Sequence, residues 1–250
     1  MKISRFIFIS LLICNFLRSQ DTSFARKVIN TLAAKEYYGR GYVNGGLDKA
    51  AAYLSKQFKS FGLKPLNKKT YFQPFTLSVN TFPGKMSVIA DGKPLIPGVH
   101  YIVGPESKGT ASGFMLFKKD SVTYGATDGK RPAPFVVSLQ KKLTWSASTT
   151  QENYTLIELL KDSFAKDIRN IDAIIEAKFI PEFKTRNTCA FIKGTQYPDS
   201  FLVFTAHYDH LGMMGKETVF PGANDNASGI AMLLNLASWY SKPQNKPKCS

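Results

Sequence analysis

The chain is poor in cysteine and histidine, with three of each among its 250 residues. Cys14, Cys189 and Cys249 are far apart and no CxxC pair occurs, so the sequence indicates neither a disulfide framework nor a zinc–thiolate site. It also lacks the GxSxG turn of serine hydrolases and the GxxxxGK[ST] loop that binds nucleotide phosphates. The composition is otherwise that of a globular protein, because 44% of the residues are hydrophobic and 13% are aromatic.

Acidic residues are scarce as well, since 18 Asp and Glu stand against 33 Lys and Arg and leave a net charge of +15. Such a balance can indicate a nucleic acid, an anionic membrane or an acidic polymer as partner. The basic residues are scattered, however, and the densest run, KPQNKPKCS, has no aromatic side chain on which a base would stack. We therefore interpret the charge as solvated surface and predict no nucleic-acid partner. The sequence indicates no particular oligomeric state.

No apolar run reaches the roughly 20 residues that a helix needs to cross a bilayer. The most apolar stretch, FIFISLLICNFL at residues 6–17, follows Lys2 and Arg5 and is ended by Arg18. This pattern is typical of a secretory signal peptide. We predict a signal peptide at residues 1–19 and a secreted or periplasmic mature protein. An uncleaved N-terminal anchor is the alternative, and no other membrane association is expected.

The remaining chain divides into three segments by pattern. Residues 20–69 carry two amphipathic helices, in DTSFARKVINTLAA and LDKAAAYLSKQFKSFGLKPL. Residues 70–170 contain short β-prone runs separated by Gly and Pro, which predict a β-rich module. A closing helix is predicted in TTQENYTLIELLKDSFAKDIRN, where Thr149 and Glu152 have capping-box spacing. Residues 171–250 have the strand, loop and helix order of an open α/β sheet.

His207 and Asp209 follow SFLVFTA, a continuously apolar segment that predicts a central strand covered on both faces. Alternate side chains of a strand share a face, so both would lie at its carboxyl end, where open α/β sheets place their ligands. A metal-bound imidazole usually donates its other N–H to an oxygen, and a carboxylate two residues on can accept it. The pair therefore predicts a metal ligand and its partner.

A second carboxylate stands in PGANDNASG, at residues 221–229. Asp225 and Asn226 come just before a predicted helix, and one interpretation is that they cap it. The other is that Asp225 binds metal, because a carboxylate can bridge two ions and zinc accepts both imidazole and carboxylate ligands. Asp225 can bridge while Asn226 caps the helix. We expect His210 on the opposite side from His207 and outside the ligand set.

TAHYDHLG followed by PGANDNASGIAMLLNLA resembles the di-zinc aminopeptidases and related carboxypeptidases of the glutamate-carboxypeptidase-like group, of the secreted bacterial type. The likeness extends over residues 22–66 and 171–240. It implies an α/β fold with N-terminal helices and the first half of an open mixed-sheet zinc-exopeptidase core, interrupted by a β-rich insertion. It also implies two zinc ions, a peptide substrate and attack by a metal-bridging water. His207 would be a zinc ligand, Asp209 the catalytic residue that orients it, and Asp225 the bridging carboxylate.

The likeness to this family is incomplete at the C-terminal end. Family members have a glutamate base and further metal ligands downstream of the GANDNASG motif, whereas no Asp, Glu or His follows Gly229. We therefore expect an N-terminal fragment of a zinc exopeptidase that is inactive by itself, or a complete homologue that has lost activity. A non-catalytic secreted or envelope binding protein derived from the peptidase fold is the alternative function.

Overall fold

The computed structural model describes residues 21–164 and 166–250. The predicted signal peptide at residues 1–19 lies outside the described residues. Across the described ranges, no helix combines the length and the apolar character needed to span a bilayer. Helices and strands are both present and the largest sheet is mixed, as the predicted α/β class requires.

Three α-helices pack together and form one hydrophobic cluster with the segments around them. They are α1 (Thr22–Leu32), α2 (Gly46–Ser60) and α3 (Ser228–Ser241). The helix α1 begins where the Asp21 carboxylate accepts a hydrogen bond from the N–H of Phe24, at 2.8 Å. The helix α2 is terminated by Gly62, which lies two residues beyond its end in the left-handed region at φ +72°, and the N–H of Leu63 donates to the carbonyl of Phe58 at 3.1 Å. The predicted helices of the N-terminal segment are therefore confirmed.

Most of the remaining secondary structure is extended. The strands are β1 (Lys64–Pro65), β2 (Phe72–Thr81), β3 (Met86–Ala90), β4 (Lys93–Leu95), β5 (Tyr101–Val103), β6 (Thr110–Lys118), β7 (Thr123–Thr127), β8 (Pro132–Gln140), β9 (Thr155–Leu160), β10 (Asn170–Ile175), β11 (Lys178–Thr188), β12 (Ala190–Phe191), β13 (Gly212–Met214) and β14 (Thr218–Phe220).

Eight of these strands form one sheet in the order β4-β3-β10-β6-β7-β8-β9-β5. Neighbouring strands are antiparallel except for β8 and β9, which run parallel. The sheet encloses a second hydrophobic cluster, whose fully buried members include Tyr101, Tyr124, Phe135, Ile157 and Ile171. The β-rich character predicted for the middle of the chain is confirmed.

The closing helix predicted within residues 149–170 is wrong. Thr155–Leu160 is the strand β9, in which Ile157 and Leu159 are fully buried and alternate with half-buried neighbours. A single 3-10 turn, Lys161–Ser163, follows it. The short apolar run fits a helix face as well as a strand, and its pairing with β8 on one side and β5 on the other decides the outcome. The predicted capping box consequently precedes no helix.

The central strand predicted in SFLVFTA is also wrong. At its start the N–H of Leu202 bonds to the carbonyl of Ser250, and the N–H of Ser250 bonds to the carbonyl of Ser200, both at 2.9 Å. From residue 203 to residue 206 the backbone has no hydrogen bond to another described backbone group. A run that is apolar on both faces needs neighbouring strands, and the described part of the chain does not supply them. This segment instead borders a groove of about 1030 Å³.

Two pairs of strands outside the eight-stranded sheet lie close to the candidate site. The strands β2 and β11 form an antiparallel ribbon that is shifted in register between Ile180 and Phe183. The strands β13 and β14 form a hairpin that directly precedes the PGANDNASG segment. The hairpin lies against Gly39 of the 3-10 segment Lys35–Arg40, and the ribbon contacts Tyr42 just after that segment through Phe183.

Candidate metal centre

His207 lies between two carboxylates. Its Nδ1 is 3.2 Å from Oδ1 of Asp209, and its Nε2 is 3.1 Å from Oδ1 of Asp225. The side chains of His207 and Asp225 are 55% and 68% exposed, so an ion in solution can reach them. The structure therefore brings together all three residues that the sequence selected, although their roles stay predictions.

The donor atoms at this position, an imidazole nitrogen and a carboxylate oxygen, are of the types that zinc binds. When Nδ1 of His207 donates to Asp209, Nε2 keeps its lone pair and faces Asp225. The 3.1 Å between Nε2 and Oδ1 is compatible with both atoms contacting one ion at zinc bond lengths of about 2.0–2.2 Å. No group of three or more His, Cys, Asp and Glu side chains within residues 21–164 and 166–250 is arranged to hold a metal. At this position the described residues thus offer two donors, from His207 and Asp225, to an ion that usually takes about four ligands.

His210 approaches the same carboxylate as His207. Its Nδ1 is 3.7 Å from Oδ2 of Asp225, and its side chain is largely buried. Burial lowers the pKa of His210, while the carboxylate of Asp225 acts in the opposite direction. The two histidines thus face the two oxygens of one carboxylate, whereas strand geometry predicts them on opposite sides. The expectation fails because this segment does not continue a strand.

The PGANDNASG segment forms a wide turn at Ala223–Ala227 that leads into α3. The side chain of Asn226 accepts a hydrogen bond from the N–H of Gly229 at 3.0 Å, so Asn226 caps the first turn of the helix, as predicted. The peptide bond between Asp225 and Asn226 is cis. Because Asn226 serves the helix, the carboxylate of Asp225 is left to face His207.

Arg40 belongs to the site, although it lies between the two predicted N-terminal helices and the sequence did not indicate it. It is fully buried, and its guanidinium is surrounded by backbone carbonyls. It donates to the carbonyls of Tyr208 (2.9 Å), Leu32 (2.8 Å), Pro221 (2.7 Å), Gly222 (2.8 Å) and Asp225 (3.4 Å). Burial lowers the pKa of Arg40, and the carboxylates of Asp209 and Asp225 act against this effect. The guanidinium therefore stays charged.

Tyr42 is a second site residue that the sequence did not indicate. Its hydroxyl donates to Oδ2 of Asp209 at 3.1 Å, and its ring meets that of Phe183 edge-on with centroids 5.3 Å apart. Burial, followed by the charge of Asp209, raises the pKa of Tyr42, so the hydroxyl stays protonated and remains a donor. The carboxylate of Asp209 is thus held by Tyr42 on one oxygen and faces His207 with the other.

Known protein sequences resemble the C-terminal part of this chain, which carries the candidate ligands. Residues 187–250 match the profile of Peptidase family M28. A protein described as "Probable zinc metalloprotease" from Pyricularia oryzae (strain 70-15 / ATCC MYA-4617 / FGSC 8958) is 43% identical over 56 residues, which are 22% of this chain and 11% of that protein. The family match covers both segments that carry the candidate ligands.

Comparison with solved structures covers nearly the whole chain. An aminopeptidase from Aneurinibacillus sp. strain AM-1 has a TM-score of 0.52 at 18% identity, over 88% of this chain and 59% of that one. A zinc aminopeptidase from Bacillus subtilis has a TM-score of 0.54 at 14% identity, over 88% and 57%. A Peptidase M28 precursor from Shewanella amazonensis SB2B has a TM-score of 0.61 at 14% identity, over 93% and 63%. The fold is therefore shared, and the chain spans between 57% and 63% of the length of these structures.

Proposed function

We propose that this chain is the N-terminal part of a zinc-dependent exopeptidase of the aminopeptidase type. Its residues 187–250 match Peptidase family M28. The observation that carries the proposal is the arrangement at His207, with Asp209 against one ring nitrogen and Asp225 against the other. The metal, when bound, supplies a Lewis acid that activates water for attack on a peptide carbonyl. The substrate is accordingly a peptide.

Each residue of the site has a distinct task in this proposal. His207 binds zinc through Nε2, because Nδ1 is engaged by Asp209. Asp209 fixes the orientation of the imidazole and is in turn held by Tyr42. Asp225 would hold zinc through the oxygen beside Nε2 of His207, and its second oxygen would be available to another ion. His210 lies beside the same carboxylate, and burial lowers its pKa and so favours the neutral imidazole.

Zinc binding and peptide hydrolysis are separable for this chain. Hydrolysis needs a general base within reach of the attacking water. In the described part of the chain, the carboxylates that face His207 are those of Asp209 and Asp225, and both already have a task. We therefore propose that the polypeptide of 250 residues binds zinc without turning over peptides.

The zinc site is tested by measuring zinc affinity of the purified chain by competition with a chromophoric chelator. His207→Ala should weaken binding by at least about tenfold, because a ligand is lost. His100→Ala is the matched control, since His100 accepts a hydrogen bond from the N–H of Ile96 in a distant loop. Equal affinities for wild type and His207→Ala would remove the basis of the proposal.

Turnover is tested separately with aminoacyl p-nitroanilides in the presence and absence of a chelator. We expect no hydrolysis above background. Hydrolysis that the chelator abolishes would show that the chain is a competent enzyme after all. A chain that binds no zinc but binds an anionic polymer in a salt-dependent manner would instead favour a non-catalytic binding protein.

Export is part of the proposal and rests on the pattern of residues 1–19. The site suits it, because an exposed His207–Asp225 pair can load metal from the medium after export. Fusion of residues 1–40 to a reporter that is active only outside the cytoplasm is the direct measurement. Reporter activity that survives replacement of Leu11 and Leu12 by Lys would contradict a signal peptide.

A further inference from the structure

Arg40 connects the two segments that carry the candidate ligands. Its Nε donates to the carbonyl of Tyr208, the residue between His207 and Asp209, at 2.9 Å. Its two Nη atoms reach the other segment, at the carbonyls of Pro221 and Gly222, over 2.7 and 2.8 Å. One planar group with five donors therefore fixes the relative position of two chain segments.

The main chain of Arg40 takes part in the same connection. Its carbonyl accepts a hydrogen bond from the N–H of His210 at 3.1 Å, so Arg40 contacts the residues on both sides of Asp209. Its backbone lies in the left-handed region at φ +48°, which is unfavourable for a residue with a side chain. Such conformations persist where surrounding contacts hold them, and they are concentrated at functional sites.

The charge of Arg40 is balanced by backbone oxygens and not by an ion pair. No carboxylate in the described ranges lies within 4.0 Å of the guanidinium, and all five hydrogen bonds go to carbonyls. Burying an unpaired charge is unfavourable, and apolar residues of similar volume fill a core at least as well. The contacts of Arg40 therefore specify a geometry that an apolar side chain cannot specify.

We propose that Arg40 is a positioning residue for the metal centre, an inference that rests on the proposed function. It fixes the backbone at Tyr208 and the backbone from Pro221 to Asp225 as one rigid unit. The distance between Nε2 of His207 and Oδ1 of Asp225 is thereby set before a metal binds. Arg40 itself contacts neither metal nor substrate.

Hydrogen exchange of the metal-free protein tests the positioning role by itself. In Arg40→Gln, the peptides that cover residues 207–212 and 221–227 should both exchange at least about tenfold faster than in wild type, because one clamp holds both. Arg40→Lys keeps the charge but loses the planar fork, and we expect an intermediate acceleration in the same two peptides. Ile157→Ala, a destabilised control with its cavity in the distant sheet, should leave these peptides at the wild-type rate relative to the rest of the chain.

Zinc affinity separates this inference from the proposed function. Arg40→Gln should weaken zinc binding by about 10- to 100-fold at a temperature where it is fully folded, whereas Ile157→Ala should not. If wild type binds no zinc, the proposed function fails, and the exchange measurement still decides the role of Arg40. Wild-type exchange in both segments of Arg40→Gln would overturn the inference. Failure of both Arg40 variants to fold would also overturn it, because Arg40 would then be a residue of the folding core.

Discussion

Tyr42 controls Asp209 through one hydroxyl, and the effect of that hydroxyl can be isolated. Tyr42→Phe removes the hydrogen bond to Oδ2 of Asp209 but keeps the edge-on contact with Phe183. We expect zinc affinity to fall by about tenfold, since partners of a metal-bound histidine orient it, and stability to fall by about 1 kcal/mol. Calorimetric titration with zinc is the measurement.

Tyr124→Phe is the matched control for Tyr42→Phe. It removes a tyrosine hydroxyl that donates to Asp167 at 2.9 Å on the eight-stranded sheet, far from the site in the fold. Its zinc affinity should equal that of wild type. An equal loss of affinity in both variants would mean that Tyr42 acts through general stability and not through Asp209.

Gly41 allows two backbone segments to touch beside Arg40. A Cβ at Gly41 would collide with the backbone of Gly212 at the start of β13. Gly41→Ala should therefore destabilise the protein by about 2 kcal/mol, because the collision is with backbone atoms that cannot rotate away. Gly62→Ala is the comparison: Gly62 has φ +72° with open space around it, so only the conformational cost of about 1 kcal/mol applies. Urea unfolding that ranks Gly62→Ala as the more harmful change would contradict this.

The sequence predicted the three candidate site residues that the structure brings together, and it did not indicate the two residues that contact them from elsewhere in the fold. His207, Asp209 and Asp225 stand in short motifs, so their spacing was visible along the chain. Arg40 and Tyr42 meet those motifs at sequence separations of 167 residues or more, and only the fold brings them there. No local pattern distinguishes a buried arginine from a solvated one in a chain with 33 Lys and Arg.

For the strand β9, the local sequence pattern does not distinguish a helix from a strand. YTLIELL has apolar residues that can line a helix or fill a strand, and its long-range pairing with β8 and β5 selects the strand. The helices α1 and α2 were predictable because their apolar period extends over three to four turns and their ends carry local stop and start signals.

Side-chain truncation along β9 can confirm its alternation. Ile157→Ala should destabilise the protein by about 2–5 kcal/mol, because Ile157 is fully buried and leaves a cavity. Leu160→Ala, at a half-buried position on the opposite face, should cost about 1 kcal/mol or less. Urea denaturation gives both values. Equal losses at the two positions would not be compatible with a strand buried on one face.

On the scale of the molecule, the segment Phe201–Phe204 is an apolar run that the described residues leave exposed to solvent. Its four consecutive apolar side chains are 65%, 68%, 74% and 52% exposed. Apolar segments with unpaired backbone groups tend to associate with one another. At low salt, molecules with a net charge of +15 repel one another, which opposes this association. At physiological ionic strength the Debye length is about 8 Å, so this repulsion is weaker.

We therefore predict self-association that increases with both protein and salt concentration. Val203→Lys, at the most exposed of the four positions, should reduce it strongly, as measured by sedimentation velocity. Ile96→Lys adds the same charge at a residue outside this segment that is 55% exposed, and should change little. If both substitutions suppress association equally, net charge and not the Phe201–Phe204 segment is responsible.

The contacts of Arg40 also imply an order of events during synthesis of the chain. They join positions that are 168 to 185 residues apart, apart from the contact with Leu32. At a synthesis rate of about 5–20 residues per second, the ribosome needs roughly 10 to 40 s to proceed from Arg40 to Asp225. During that interval the guanidinium lacks its partners at Tyr208, Pro221, Gly222 and Asp225. The two candidate ligand segments can therefore be brought into register by Arg40 only after residue 225 has been synthesised.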